Sequence, residues 1–166
     1  PIYLLTGIIT YNFFKNGTTI ALNSLTNRSS LITQIYFPRS IPALSSVITA
    51  CIMLLAELSV LGVFMVILGF IPPLTIIFLI PVYLLLFFLI VGLALPLSVL
   101  NVKYKDVEFI WLVILQAGFF LTPIFYQFDM MPENIRNILQ FSPMVQIVTM
   151  THHVALYGTF PTINSI

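Results

Sequence analysis

The sequence predicts an all-α polytopic membrane protein, with about four transmembrane helices, a short cytoplasmic helix and an outer re-entrant helical hairpin. Three observations predict it. Hydrophobic residues make up 60% of the 166 positions and charged residues only 7%, where a soluble chain carries roughly 25% charge. The mean hydropathy is +1.10. The apolar runs are long and continuous. So few charges cannot cover a water-facing surface, which leaves lipid as the main solvent. In lipid every backbone N–H and C=O needs an internal partner, so only helices or a closed barrel can span. A barrel would show short segments of alternating apolar and polar residues, and the continuous runs favour helices.

Four spans can be drawn in order. The first covers residues 2–22 and is interrupted by Asn12, Lys15, Asn16, Thr18 and Thr19. The second covers 42–70, long enough to cross even when tilted. Pro72 and Pro73 then force a turn, since neither has an N–H and each pushes the preceding residue out of helical conformation. The third covers 74–100, with kinks expected at Pro81 and Pro96. The fourth covers 109–126, with Pro123 near its end.

Two polar loops, 23–40 and 101–108, lie two spans apart and therefore on one face. They hold Arg28, Arg39, Lys103 and Lys105, whereas the opposite face holds Arg136 alone. The positive-inside rule places both loops in the cytoplasm. The region 127–158 then faces outside. Asp129 is suited to cap a short helix with Pro132 and Glu133 in its first turn, and Ser142-Pro143 ends it. A second apolar stretch covers 144–156. Each arm is about half of the roughly 20 residues a full crossing needs, which suits a hairpin dipping into the outer leaflet. The chain opens at Pro1 without an initiator Met or a charged leader, and we read it as a piece of a larger protein.

Few residues offer chemistry. No GxxxxGK[ST], GxSxG or HExxH occurs, so neither P-loop nucleotide binding nor those hydrolytic sites are expected. The single Cys51 excludes an internal disulfide, and no basic run points to nucleic acid. His152 and His153 are adjacent, so on a helix they point about 100° apart. Metal pairs want a spacing of three or four, and we place both as interfacial residues near the outer surface. Asp129 and Glu133 are explained by capping and solvated charge. Glu57 falls inside the second span, where a carboxylate is costly and faces a partner or a water-filled path. Lys15 is the one base inside a span. The readings that stay open are a polar lining for a translocation path, a structural ion pair, or a protonated Glu57 hydrogen-bonded between helices.

The loop after the first span is the most informative feature. Leu31, Ile32, Ile35 and Tyr36 alternate with Ser29, Ser30, Thr33 and Gln34, and Pro38 stops the run. This is a short amphipathic helix at the membrane edge. Its apolar face needs lipid, the protein's own helices or a partner's groove.

The stretch SSLITQIYFPRSIPALSSV resembles the cytoplasmic coupling region of ABC exporter permeases that move cell-surface polysaccharides (O-antigen, teichoic acid, capsule). LTGIITYNFF resembles the opening of that family's second span, usually with Trp where Tyr11 stands. LSVLNVKYKDVEFI resembles its second cytoplasmic loop, with Lys105 where Arg is usual. FFLTPIFYQFDMMPENIRNILQFSPMVQIV resembles its outer re-entrant region. The four motifs occur in the family's order and cover nearly all of the chain.

The resemblance implies a permease of the bacterial inner membrane that has six spans, dimerises and pairs with separate ATPase subunits. Residues 1–166 would form one transmembrane domain truncated at both ends, holding spans two to five and the hairpin. Leu31, Ile32, Ile35, Tyr36, Phe37 and Arg39 would couple to the ATPase, with Lys103, Tyr104, Lys105 and Asp106 as a second contact. Phe119, Phe120, Phe125 and Tyr126 fall where aromatics line the sugar path, or else form an interfacial aromatic belt. Lys15 and Glu57 would join that path. Lys105 in place of Arg loses bidentate pairing. The chain itself would be no enzyme and hold no cofactor, ATP and Mg being bound by the partner. Its other partners would be a second copy, membrane lipid and a lipid-linked glycan. Rival readings are a drug or lipid exporter permease, a structural membrane scaffold and a polyprenyl-phosphate glycosyltransferase. The last would need acidic residues clustered at one membrane face, where Asp106 and Glu108 stand inside and Asp129 and Glu133 outside.

Overall fold

A computed structural model describes residues 2–27, 40–69, 77–122, 124, 142–152 and 154. The described residues form five helices: α1 Ile2–Asn27, α2 Ser40–Ile67, α3 Leu79–Lys103, α4 Val107–Leu121 and α5 Pro143–His152. Helices α2 and α3 are long and apolar enough to cross a membrane. Helix α1 has 26 residues, about 39 Å at 1.5 Å per residue, but is less apolar. Helix α4 has 15 residues, about 22 Å, short of the roughly 30 Å hydrocarbon core.

The central helix is the less apolar α1. Helix α1 packs against all four other described helices. Its polar residues are tolerated there because they satisfy themselves locally. Buried Thr6, Thr10 and Thr18 donate to the carbonyls of Ile2, Thr6 and Phe14 at 2.8–2.9 Å. A hydroxyl bonded four residues back removes most of the cost of burying it. The remaining core is apolar and aromatic, including Tyr11, Phe13, Val47, Leu86 and Ile90. Outer faces stay apolar as well: Ile52 is 64% exposed, Val66 76% and Phe109 70%. In water these faces would aggregate; against acyl chains they are at no disadvantage.

Helix directions follow from the contacts. The Thr10 and Tyr83 hydroxyls lie 3.3 Å apart, and Gly17 abuts Ile90 seven residues further along both helices, so α1 and α3 run parallel. Gly17 also abuts Ala50, while further along α2 Leu58, Leu61 and Met65 line a cavity with Leu79 and Tyr83, which lie earlier on α3 than Ile90. Rising numbers on α2 therefore match falling numbers on α1, and the two run antiparallel. Tyr11 meets Leu115, Thr18 meets Trp111 and Asn23 meets Glu108, so α4 is antiparallel to α1 too.

Several boundaries differ from the sequence expectation. Helix α2 ends at Ile67, and Gly69 two residues on has a φ of 67°, in the left-handed region that glycine occupies without penalty just past a helix C-terminus. Helix α3 starts at Leu79, which puts Pro81 in the first turn, where its missing N–H is one of the unbonded four. Pro81 is therefore no mid-helix kink, and only Pro96 lies inside α3. Helix α4 stops at Leu121, with Thr122 extended at φ −77° and ψ 135°, because Pro123 follows. The loop drawn over 101–108 shrinks, since helix α3 runs through Lys103 and α4 begins at Val107. The coupling helix expected at Leu31–Tyr36, with Phe37 and Arg39, and the hairpin's first arm lie outside the described residues, as do Phe125 and Tyr126. Helix α5 covers most of the expected second arm.

Candidate functional site

Three polar or aromatic constellations sit on α1. The first closes one end of the bundle. Asn101 is buried in the last turn of α3, and its Nδ2 donates to the Leu22 carbonyl and to Asn23 Oδ1, each at 3.1 Å. The Asn23 Nδ2 in turn donates to Glu108 Oε1 at 2.8 Å. One amide thus ties the ends of α1 and α3 and the start of α4. This brings the two predicted loops to the same end of the molecule. Beyond the knot, Lys103, Tyr104, Lys105 and Asp106 are all exposed, with the Lys103 ammonium 5.2 Å from the Tyr104 ring centroid. The second expected ATPase contact is therefore a solvent-facing turn braced from beneath.

The second constellation is aromatic. Tyr11 is buried and donates its hydroxyl to the Leu115 carbonyl. Phe119 meets the Tyr11 ring edge-on at 5.2 Å, and Trp111 Nε1 donates to Thr18 Oγ1 at 3.2 Å. A cavity of about 370 Å³ opens between α1, α3, α4 and α5, lined by Tyr11, Phe14, Trp111, Leu115, Gly118 and Met144 among others. Phe119 and Phe120, grouped in the sequence reading, part company. Phe119 turns inward to Tyr11, while Phe120 is 62% exposed on the bundle's outside. Consecutive helical residues point about 100° apart, so one of the two had to face away.

The third is the layer around Glu57. The Gly17–Ala50 contact sets the register, and it puts Glu57 level with Thr10 and Tyr83. Lys15 sits five residues further along α1, about 7.5 Å away in depth. Lys15 is exposed and forms no ion pair with Glu57. The ion-pair alternative is therefore not what the fold builds. The inner oxygen of Glu57 has no hydrogen-bond partner among the described residues.

His152 packs inside the bundle: it is 3% exposed and stacks on Tyr3 with ring centroids 3.8 Å apart. Its neighbour on α1 is Gly7, where a Cβ would come within 2.9 Å of the imidazole Nε2. The glycine makes the space for the ring. His153 lies outside the described side chains. Among the described residues no three His, Cys, Asp or Glu side chains gather as a metal site would require.

Sequence reasoning passed over Asn23, Asn101, Thr10, Tyr83 and Trp111. A signal existed for Asn101, an amide closing a long apolar run. Nothing in the one-dimensional pattern paired it with Asn23, 78 residues away.

Comparison with known proteins adds a lineage. The family model described as ABC-2 type transporter matches residues 2–155. An O-antigen export system permease protein RfbA of Klebsiella pneumoniae is 27% identical over 159 residues, which cover 95% of this chain and 61% of that protein. A second from the same organism is 26% identical over 158 residues, with the same coverage. One from Myxococcus xanthus is 24% identical over 151 residues, covering 90% of this chain and 58% of that protein. The chain thus spans about three-fifths of the length of these relatives.

Proposed function

The chain belongs to the ABC-2 type transporter family, and on that premise we propose that it is the core of a permease subunit that exports lipid-linked cell-surface polysaccharide. ATP drives the export through a separate ATPase. The observation that carries the substrate class is the similarity along 95% of the chain to relatives named O-antigen export permeases. The exposed apolar faces of α2, α3 and α4 support multi-pass residence in the bacterial inner membrane.

The mechanism moves a chain and breaks no bond of it. ATP binding closes the ATPase pair. The amphipathic segment Leu31–Tyr36, seated in an ATPase groove, passes that motion to α1 and α2, which it joins. The exposed turn Lys103–Asp106 gives the ATPase a second grip, on α3 and α4. The Asn23–Asn101–Glu108 knot supports this role: a push on either segment reaches three helices as one body. A second copy of the permease completes the channel. The aromatic cavity beside Tyr11 and Trp111 suits sugar rings, whose apolar faces stack on aromatic ones.

The test is association. In the full-length protein, Ile32→Asp puts a charge into the apolar seat and should abolish co-purification of the ATPase while leaving membrane insertion intact. Undiminished co-purification would refute the coupling role. Recovery of no ATP-binding partner with the unaltered protein would refute the ATP-driven reading and return attention to a membrane enzyme.

A further inference from the structure

One face of α1 is polar and, apart from Asn23 at its end, finds no side-chain hydrogen-bond partner among the described residues. Asn12, Lys15, Asn16, Thr19 and Asn23 fall within an arc of about 100° and a rise of about 16 Å on an ideal helix. Lys15 is exposed; the other four are half-buried. On the inward faces of α1 the polar groups are satisfied: Thr6, Thr10, Thr18 and Ser24 all donate to helix carbonyls. On the stripe, Asn12, Lys15 and Asn16 make no side-chain hydrogen bond to described residues, and the buried Thr19 Oγ1 has no partner among them. Only Asn23, at the end, is engaged, in the knot with Glu108 and Asn101.

The exposed faces of the neighbouring spans are apolar, with Ile48, Ile52, Val63 and Ile80 all more than half exposed. Those faces match hydrocarbon. The α1 stripe does not, because each unsatisfied polar group in hydrocarbon costs several kcal/mol. Lipid is therefore excluded as its solvent. A two-fold contact centred on the stripe would set two Lys15 ammoniums against each other at low dielectric, which disfavours a second copy. The side chains that remain are amides and a hydroxyl, groups that both donate and accept, as sugar hydroxyls do. The stripe carries no carboxylate, so Lys15 adds attraction for anionic groups.

We propose that the Asn12–Lys15–Asn16–Thr19 face of α1 lines the water-filled path and hydrogen-bonds the passing glycan, favouring neutral or acidic glycans over basic ones. This rests on the export reading above. Side chains spaced along one helix face offer successive sugars equivalent partners, so a polymer can advance without one deep binding step. The Asn23–Asn101–Glu108 knot marks where this face ends at the ATPase side.

The test uses the full-length permease with its ATPase, in a cysteine-free background, in membrane vesicles. Single cysteines replace Asn12, Asn16 and Thr19 on the stripe, and Ile52 and Val63 on the apolar face of α2. A small charged thiol reagent needs water and a thiolate, and a thiol against lipid is poorly ionised, so the stripe should react at least about ten-fold faster. Labelling at the stripe no faster than at Ile52 and Val63 overturns the proposal; it would mean that another helix, a second copy or lipid covers this face. Surface glycan gives the second readout. Asn16→Leu should reduce it and Asn16→Gln should retain it, at equal permease level and equal ATPase association. Equal export by the two variants overturns the hydrogen-bonding role. The parent reading fails separately: loss of any ATPase partner with a labelled stripe would remove the ATP-driven exporter and leave the water-filled path.

Discussion

Gly17 is where α1 meets both α2 and α3, at Ala50 and Ile90, and Gly17→Ala measures that contact. An added Cβ would lie 2.7 Å from Ile90 Cγ2, 3.3 Å from its Cδ1 and 3.7 Å from Ala50 Cβ. Carbon atoms prefer 3.5–4.0 Å, so the first contact is nearly 1 Å too short. Ile90 is fully buried, and its Cγ2 is fixed by the β-branch, which has one strongly favoured rotamer in a helix. It cannot swing aside, so α1 and α3 must separate. Overpacking of this kind costs about 1–3 kcal/mol. Ala gains up to about 1 kcal/mol over Gly in helix propensity, leaving a net loss of about 0–2 kcal/mol, or about 1–3 kcal/mol relative to a Gly→Ala change whose Cβ meets nothing. Gly62 and Gly92 supply controls, because a Cβ at either meets nothing within 4 Å. Gly62→Ala and Gly92→Ala should be neutral or stabilising in denaturant titration of the purified full-length protein. Ile90→Leu deletes the offending Cγ2 at conserved volume. Combined with Gly17→Ala it should lose less than the two single changes added, by about 0.5–3 kcal/mol. Gly17→Ala as stable as Gly62→Ala would refute the packing described for α1.

The other predictions concern polar groups and topology. Asn101→Asp sets a carboxylate against the Leu22 carbonyl and Asn23 Oδ1, both acceptors, and should cost about 1–3 kcal/mol or more, while Glu108→Gln keeps an acceptor for Asn23 and should be mild; equal losses in unfolding titrations would discount the knot. Exchanging Lys15 and Glu57 should fail to rescue the single neutralisations in an export assay, because about 7.5 Å of depth separates them, and a rescued swap would contradict the register. A cysteine at Ser30 should resist an impermeant reagent applied outside intact cells and one at Asn134 should react; the reverse pattern would invert the topology.

Composition and run length were enough to read helices in lipid, and the four family-like motifs were enough to read the transporter. Packing was less legible. The polar residues that interrupt the first span gave no sign that α1 is the hub, which it becomes because threonine hydroxyls bond back to their own helix and Gly7 and Gly17 admit His152 and Ile90. Hydropathy averages cannot register that self-satisfaction. Lys15 and Glu57 looked like natural partners as the charges within neighbouring spans; the register that separates them is set by close contacts at Gly17, Ala50 and Ile90. Phe119 and Phe120 shared a motif but could not share a direction. The knot was hidden because its members lie at three helix ends distant in sequence.

The central claim is ATP-driven export of a lipid-linked glycan, and transport in a closed system tests it most directly. Inside-out vesicles would hold the full-length permease, its co-purified ATPase and lipid-linked glycan labelled on the cytoplasmic face. Addition of ATP should move the label into the lumen, and Ile32→Asp or omission of ATP should leave it outside. Movement at the same rate without ATP, or none with every component present, would contradict the account.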